Sequence, residues 1–314
     1  MWLWIACVNP DAPVVPGDEA SFVLEVPKGA TGNGLTDALV SEGLVPGKWS
    51  WKLFLRSTDL SCLKAGGHAV SRSMSLNELA HALCTSPLAE DVAFTVVEGW
   101  RISDIDAALA AAGLLPAGAY AEIARNPAKV QAPFAITSPT LEGYLYPETY
   151  RVKPGERLAT DLILRQLDTF KERFLDTHPV GDLSLHDVVV VASLLEREEP
   201  NPANRVLVSG IVHNRLKAGS ALGVDATSRY TLKDWNDRTA FLKNLRDPDD
   251  PYNTRLRKGL PPTAIGNPAL ASLEAALAPQ ATEFWYYLHD ANGVLHPAVD
   301  AAGHEANRRT YDVW

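Results

Sequence analysis

The sequence predicts an α+β protein in which small strand–helix modules at the N-terminus precede a larger, mixed α+β domain. Two observations support this fold class: a strand–turn–helix repeat within residues 22–115, and beyond it a series of helical periodicities that ends in a hairpin pattern. A length of 314 residues suits about two domains. We therefore expect an apolar tail or truncated membrane anchor at 1–19, the modules at 20–115 and the larger domain at 116–314.

Glycines mark the two clear copies of the N-terminal repeat. After Gly29, and again after Gly99, an Ala-Leu pair and then a Gly-Leu pair follow at the same offsets. The second glycines, Gly43 and Gly113, stand where a helix ends in a left-handed residue, which glycine adopts most easily. Each copy also has an apolar, strand-like run before its first glycine. The repeat therefore predicts a strand, a turn and a helix that ends at Gly43 or at Gly113.

The composition is that of an ordinary soluble globular protein, with 46% hydrophobic and 21% charged residues. The formal net charge of −9 argues against a surface that binds phosphate, so no nucleic-acid partner is expected. The chain has no glycine-rich phosphate loop and no Cys/His set with zinc-ligand spacing. We therefore expect neither a cofactor nor a metal site.

The first residues and the cysteines bear on the cellular compartment. The apolar start, MWLWIACV, is far shorter than the ~20 residues that span a bilayer, and we interpret it as the stub of a membrane anchor rather than as a frayed tail. Cys7, Cys62 and Cys84 form no C-x-x-C pair. Cys62 and Cys84 could pair in an oxidising compartment, but we favour isolated, buried thiols.

The segment VVVVASLLEREEP, residues 188–200, is predicted to be a buried helix that ends in acids. Ser184 is a good N-cap, which predicts a helix starting near Leu185 and ending before Pro200. Its first turns are apolar all round, which is typical of a buried helix. At ~100° per residue, Glu196 and Glu199 share the angles of core residues, whereas Arg197 and Glu198 project from other sides.

Two interpretations of this helix end remain open on the residues alone. Burial would raise the pKa of Glu196 and make it a proton donor near neutral pH. Alternatively, residues 196–199 are a charged last turn that emerges into solvent. Asp225 and Glu142 lie near tyrosines, and acids beside aromatic rings suit a carbohydrate, although aromatic residues in strands more often belong to a core.

Several separated motifs resemble one family, the YceG-like endolytic murein transglycosylases, in the order in which the family has them. They are LEGYLYPETY (141–150), VVASLLEREE (190–199), VSGIVHNRLKAG (208–219), VDATSRY (224–230), PYNT (251–254), GLPPTAIGNPALASLEAAL (259–277) and FWYYLHDANGVLH (284–296). The resemblance covers residues ~20–314, because the N-terminal repeat is similar to the family's LysM-like region.

The resemblance implies LysM-like modules at 20–115 and a transglycosylase catalytic domain at 116–314. It implies cleavage of the β-1,4 bond between N-acetylmuramic acid and N-acetylglucosamine of nascent glycan strands, which leaves 1,6-anhydro ends and terminates elongation. The expected partners are peptidoglycan glycan strands, peptidoglycan synthases and the cell membrane through an N-terminal anchor. The expected location is the bacterial inner membrane, with a single span and the catalytic domain facing the periplasm and the cell wall.

The resemblance also assigns site residues. Glu196 would be the catalytic acid, and its carboxylate would then take the proton of the attacking muramyl 6-hydroxyl. The substrate-binding residues would be Glu142, Tyr144, Asn214, Asp225, Tyr252 and Asn253, each of which could equally be structural.

The sequence departs from the family pattern at several positions, three of them single residues. Gly223 replaces a glutamine, Ala226 a proline and Glu305 an asparagine. They leave two alternatives: a peptidoglycan-binding scaffold protein with a weakened catalytic domain, and a hydrolase that uses Glu196 with Asp225 as the base for water.

Overall fold

The computed structural model describes residues 9–85, 87, 92–153, 155, 157–181 and 183–313. The fold is mixed α+β, with short helices and two-stranded antiparallel sheets, which confirms the predicted class. Residues 1–8 lie outside the described part, and with them Cys7 and the apolar start MWLWIACV of the predicted tail or anchor. Within the described ranges, no helix is both long and apolar enough to cross a membrane.

The chain divides into two compact units, residues 1–90 and 91–314. The elements of the first unit are β1 (Ser21–Val26), α1 (Thr36–Ser41), α2 (Lys48–Phe54), β2 (Gly66–Ser71) and α3 (Leu76–Cys84). Strands β1 and β2 pair antiparallel, with Ser21 opposite Ser71. Residues of the sheet and of the three helices share a core that includes Leu39, Trp51 and Leu79, all fully buried.

The first unit confirms one local prediction and corrects another. Gly43 follows α1 with a φ of 71°, the left-handed conformation that the repeat predicted. Cys62 and Cys84, for which isolated thiols were expected, form a disulfide with their Cα atoms 5.1 Å apart. They meet because the Lys64 N–H donates to the carbonyl of Leu83, which brings the loop before β2 against the end of α3.

The second unit begins with β3 (Val92–Thr95), α4 (Ile102–Ala111), α5 (Ala119–Ala124) and β4 (Thr149–Val152). Helices α6 (Leu158–Phe170), α7 (Leu185–Glu198), α8 (Arg205–Lys217), α9 (Asp225–Tyr230), α10 (Arg238–Asn244) and α11 (Leu270–Leu277) come next in the chain. The unit ends with the hairpin β5 (Tyr286–His289) and β6 (Leu295–Ala298), and with α12 (Ala301–Thr310).

The second copy of the repeat folds with this second unit. Strand β3 pairs with β4, with Val92 opposite Val152, and α4 ends at Gly113 with a φ of 67°. Ile102, Ile105 and Leu109 pack into the core of the second unit. Strand pairing and apolar burial tie residues 92–115 to the second unit, so the compact division falls near residue 90. The domain bounds predicted from the sequence, at 19 and 115, stay a prediction.

Helix α7 is the central helix of the second unit. The Ser184 Oγ accepts a hydrogen bond from the Asp187 N–H at 3.3 Å, and the helix begins at Leu185, as predicted. Every residue from Val188 to Leu195 is buried, because α8, α9 and α11 pack around the helix. Burying one large aliphatic side chain stabilises a fold by about 1.5–3 kcal/mol, so this packing firmly fixes the acidic last turn.

Candidate active site

An open groove of about 580 Å³ lies at the end of α7. Its walls come from the last turn of α7, from α8, the start of α9, the loop that carries Arg255, the hairpin strand β5 and α12. The polar side chains that face it include Glu198, Asp225, Arg255, Tyr287 and His289. The groove therefore gathers two carboxylates, three arginines, two tyrosines and two histidines from segments far apart in sequence.

Glu198 is the α7 carboxyl that lines this groove. It is partly buried and accepts two hydrogen bonds, from the Ala226 N–H at 3.4 Å and from the Tyr287 hydroxyl at 3.1 Å. Burial raises the pKa of Glu198, and the negative charge of Asp225 adds to that rise, whereas the two hydrogen bonds and His289 oppose it. The net rise favours a protonated carboxyl that can donate its proton.

Ala226 is one of the departures from the family pattern, and it contacts this carboxyl directly. Its N–H is one of the two donors to Glu198, and a proline at the same position has no N–H to donate. Gly223, a second departure, lines the groove with a φ of 66°, which glycine adopts without steric cost. Both substitutions therefore change the backbone of the groove wall rather than its charge.

Glu196 is held in a buried ion pair instead. Arg205 donates to both of its oxygens, at 3.1 and 3.0 Å, and the Ala269 N–H donates to Oε2 at 3.0 Å. Both side chains of the pair are nearly inaccessible, with exposed fractions of 6% and 5%. The predicted burial of Glu196 is thus confirmed; its carboxylate pairs with a guanidinium, and Glu196 is not among the groove residues.

Glu199, the other acid predicted on the buried stripe, is fully buried. Its carboxylate accepts from the Asn201 N–H at 2.8 Å, from the Asn204 amide at 3.4 Å and from Nε2 of His289 at 3.0 Å. The Arg205 Nε–H donates to the Glu199 carbonyl at 3.0 Å. The last turn of α7 therefore sends one carboxyl into the groove and anchors the other two.

Asp225 is the predicted binding residue that the structure places in the groove. It is the first residue of α9 and pairs with Arg255, whose Nε–H donates to Oδ1 at 2.7 Å. Both side chains of this pair are about half exposed, at 45% and 48%, so a ligand could reach them.

The other five predicted binding residues hold the fold together and lie outside the groove wall. Glu142 is buried and accepts from the Ile102 N–H, the Tyr230 hydroxyl and the Asn267 amide. Burial raises the pKa of Glu142 to about 8. Tyr144 is buried among aromatic rings in the core. These contacts place Glu142 at a junction of loops, and its role as a substrate ligand stays a prediction.

Three further predicted residues also form hydrogen bonds within the fold: Asn214, Tyr252 and Asn253. The Asn214 amide donates to the carbonyls of Thr282 and Phe284, at 2.9 and 3.1 Å. The Tyr252 hydroxyl bonds to Thr263 at 2.8 Å. Asn253 is fully buried, and its amide donates to three carbonyls at and just after the end of α10. Their role as substrate ligands stays a prediction that these contacts do not favour.

Sequence reasoning missed Glu198, Tyr287, His289, Arg255 and Arg205. One available signal was the alternation in YYLH, because residues two apart in a strand face the same side, which places Tyr287 and His289 together. No local signal paired Arg205 with Glu196 or Arg255 with Asp225.

Comparisons with known proteins agree on one family. The model of the YceG-like family matches residues 24–310. An endolytic murein transglycosylase of Bacillus subtilis is 27% identical over 90% of this chain and 82% of its own length. One of Streptococcus pneumoniae is 22% identical over 94% of this chain, which spans 59% of that protein. A crystal structure of a putative YceG-like protein from Listeria monocytogenes superposes with a TM-score of 0.59 at 23% identity, over 92% of this chain and 99% of that one. At this identity, the likeness shows a shared fold and nothing more.

Proposed function

The chain belongs to the YceG-like family, and we propose that it is an endolytic murein transglycosylase acting on peptidoglycan glycan strands. Relatives from Bacillus subtilis and Streptococcus pneumoniae carry that name. The proposed reaction breaks the β-1,4 bond between N-acetylmuramic acid and N-acetylglucosamine within a strand, without water. It leaves a 1,6-anhydro-muramyl end, and cutting nascent strands in this way terminates their elongation.

The single observation that carries this proposal is the setting of Glu198. It is the carboxyl of the groove whose pKa burial raises, and the Ala226 N–H and the Tyr287 hydroxyl orient it. Glycosidic bonds break through oxocarbenium-like transition states when an acid protonates the leaving oxygen. The geometry favours Glu198 for that acid, and the role that the resemblance gives to Glu196 stays a prediction that its pairing with Arg205 does not favour.

The proposed chemistry needs one acid and an internal nucleophile. Protonated Glu198 donates to the leaving glycosidic oxygen while the bond to the muramyl C1 breaks. The muramyl 6-hydroxyl then attacks C1 in place of water and gives up its proton to a base in the groove. A second, nucleophilic carboxylate, which retaining hydrolases hold about 5–5.5 Å from the acid, is not required.

The state of Asp225 favours a lyase over a hydrolase. A hydrolase would use Asp225 as the base that activates water. Here Arg255 binds the Asp225 carboxylate through Nε at 2.7 Å, which leaves Glu198 as the groove carboxyl suited to proton transfer.

We also propose the wider setting that the family membership suggests. The first unit would act as a LysM-like module on glycan strands, and the protein would work outside the cytoplasm beside peptidoglycan synthases, tethered to the inner membrane by an N-terminal anchor. The Cys62–Cys84 disulfide supports an extracytoplasmic location, because disulfides persist mainly in oxidising compartments.

The test is digestion of purified peptidoglycan strands, with products identified by mass spectrometry. We expect internal fragments with 1,6-anhydro ends, one water lighter than hydrolysis products. Hydrated reducing ends would show a hydrolase, and retention on peptidoglycan without any released fragment would show a binding protein. Either result would reject the proposed function.

Matched glutamine variants test the assignment of the acid. Glu198→Gln should lower kcat about 10²–10⁴-fold, the usual contribution of a general acid. Glu196→Gln should keep most of the activity per folded molecule, because that side chain does not reach the groove.

A further inference from the structure

Arg197, which lies between Glu196 and Glu198 in the last turn of α7, has no part in the chemistry described above. It is half-buried, and its guanidinium lies over the indole of Trp235, with 3.7 Å between the guanidinium carbon and the ring centroid. Among the residues that the structure describes, Arg197 forms no hydrogen bond and no ion pair. A guanidinium over an aromatic ring uses its face, so the five N–H donors at its edge stay available to a ligand.

The charge of Arg197 is poorly compensated by its surroundings. Asp104 and Glu196 act on it, but each of these acids is already paired with another arginine. Arg229 adds a second positive charge nearby, and it donates to the Trp235 carbonyl at 2.9 Å. Burial lowers the pKa of Arg197, because the charged form is partly desolvated there. A bound anion would therefore be favourable at this position.

This guanidinium lies beside the carboxyls of the acidic turn. A side-chain carbon placed on Gly99 would be 3.5 Å from Nη1 of Arg197 and 3.6 Å from Cγ of Glu196, so both side chains pass over the same point of the backbone. Glu198 is the next residue in the turn. An anion bound by Arg197 would thus be held next to the acidic turn, and this placement does not depend on which of its carboxyls donates the proton.

A peptidoglycan strand carries its carboxylates on one of its two sugars. N-acetylglucosamine is neutral, whereas N-acetylmuramic acid bears a lactyl ether that ends in a carboxylate or in a stem peptide with carboxylates of its own. The two kinds of β-1,4 bond in the strand are otherwise alike, so a cation beside the acidic turn can distinguish them. Arginine suits this task because it binds a carboxylate through two parallel hydrogen bonds.

We propose that Arg197, held in place by Trp235, is a substrate-binding residue that takes a carboxylate carried by the muramyl residue. The proposal rests on the proposed function and deepens it, since it names a residue that recognises one of the two sugars. The carboxylate has two possible sources, the lactyl group of a peptide-free strand and the stem peptide, and the experiment below separates them.

The test compares strands with and without carboxylates. The substrates are stem-bearing strands, strands freed of their stems by an amidase, and samples of both with every carboxyl converted to a methylamide. We expect Arg197→Gln to lower kcat/KM for the release of 1,6-anhydro fragments about 10–100-fold on strands that carry carboxylates, the usual loss for hydrogen bonds between charged groups. On the methylamides, the variant and the wild type should differ by less than about twofold.

Two further variants act as controls. Arg125→Gln removes the same charge from an exposed arginine at the end of α5, and its kcat/KM should match the wild type on every substrate. Arg197→Lys keeps the charge but not the paired donors, so its loss on carboxylate-bearing strands should be smaller than that of Arg197→Gln. Thermal melting of each variant reports whether it folds, and the wild type alone should lose a similar factor on the methylamides.

The outcomes identify the source of the carboxylate and separate this proposal from the proposed function. A loss confined to peptide-free strands indicates the lactyl carboxylate, a loss confined to stem-bearing strands indicates the peptide, and a loss on both shows that Arg197 accepts either. Equal losses on native strands and methylamides, or no loss on any substrate, would overturn the role of Arg197 while the wild-type products leave the function intact. If the wild type released no anhydro fragments from any strand, the function and this role would both be rejected.

Discussion

Replacing Glu196 by glutamine should destabilise the second unit far more than it slows the chemistry. Arg205 donates to both oxygens of Glu196, and the Ala269 N–H adds a third hydrogen bond. Glutamine keeps one acceptor oxygen, but it leaves the Arg205 guanidinium buried without its counter-charge. This substitution therefore separates a structural role for Glu196 from a catalytic one.

The size of the effect depends on the burial of the pair. The exposed fractions of the two side chains are only 6% and 5%. Removing one charge from a buried pair costs about 3–5 kcal/mol, because the remaining charge stays desolvated. For a unit of this size, each kcal/mol shifts Tm by about 2–4 °C, so we expect Tm to fall by about 6–20 °C.

Glu198→Gln should not lower Tm, in contrast to Glu196→Gln. Because burial raises the pKa of Glu198 above its unfolded value, its contribution to stability is fully present at low pH and declines as pH rises through the folded pKa. At neutral pH a neutral amide is therefore expected to leave Tm unchanged or to raise it.

The assay is thermal melting of both variants at pH 7 beside the wild type, combined with digestion of peptidoglycan strands below the lower Tm. A Glu196→Gln variant that melts within about 2 °C of the wild type and is inactive would refute this reasoning. It would return the proton transfer to Glu196, the residue that the sequence resemblance chose.

Two further predictions concern stability. Burial raises the pKa of Glu142 from its ordinary 4.5 to about 8, so its stabilising contribution is complete below pH 4.5 and declines as the pH rises to about 8, with a slope of at most about 1.4 kcal/mol per pH unit. In urea denaturation from about pH 5 to pH 8, the free energy of unfolding of Glu142→Gln should therefore depend less on pH than that of the wild type. Equal slopes for the two proteins would contradict this prediction. Reducing the disulfide between Cys62 and Cys84, which are 22 positions apart, should destabilise the first unit by about 3 kcal/mol. Thermal melting with and without reductant measures this loss. A thiol titration that finds both cysteines free before reduction would exclude the bond.

Local features of the fold were predictable because their causes are local. Ser184 caps α7 through its own hydroxyl, and Gly43 and Gly113 end their helices in the left-handed conformation that a side chain disfavours. The helical angles also identified Glu196 and Glu199 as buried acids, and the exposed fractions of these side chains are 6% and 0%. Periodicity and capping chemistry suffice for such assignments.

The division into units and the disulfide depended on long-range pairing. The repeat suggested that residues 92–115 belong with the first module, but the register of β3 against β4 binds them to the second unit. Likewise, no spacing rule decides whether Cys62 reaches Cys84; the loop geometry before β2 decides it.

The sequence by itself determined that a buried helix ends in three glutamates, which of them lie on its core side, and which family the motifs resemble. Only the tertiary structure decided which carboxyl meets the groove. A helical wheel gives the angles between Glu196, Glu198 and Glu199, but it does not show which residues pack against each side chain. Arg205 of α8 packs against Glu196. Glu198 instead faces the groove, whose wall includes the start of α9 and the residues Tyr287 and His289 of β5. Those partners come from residues up to about 90 positions away, so the role of each acid is a property of the folded chain.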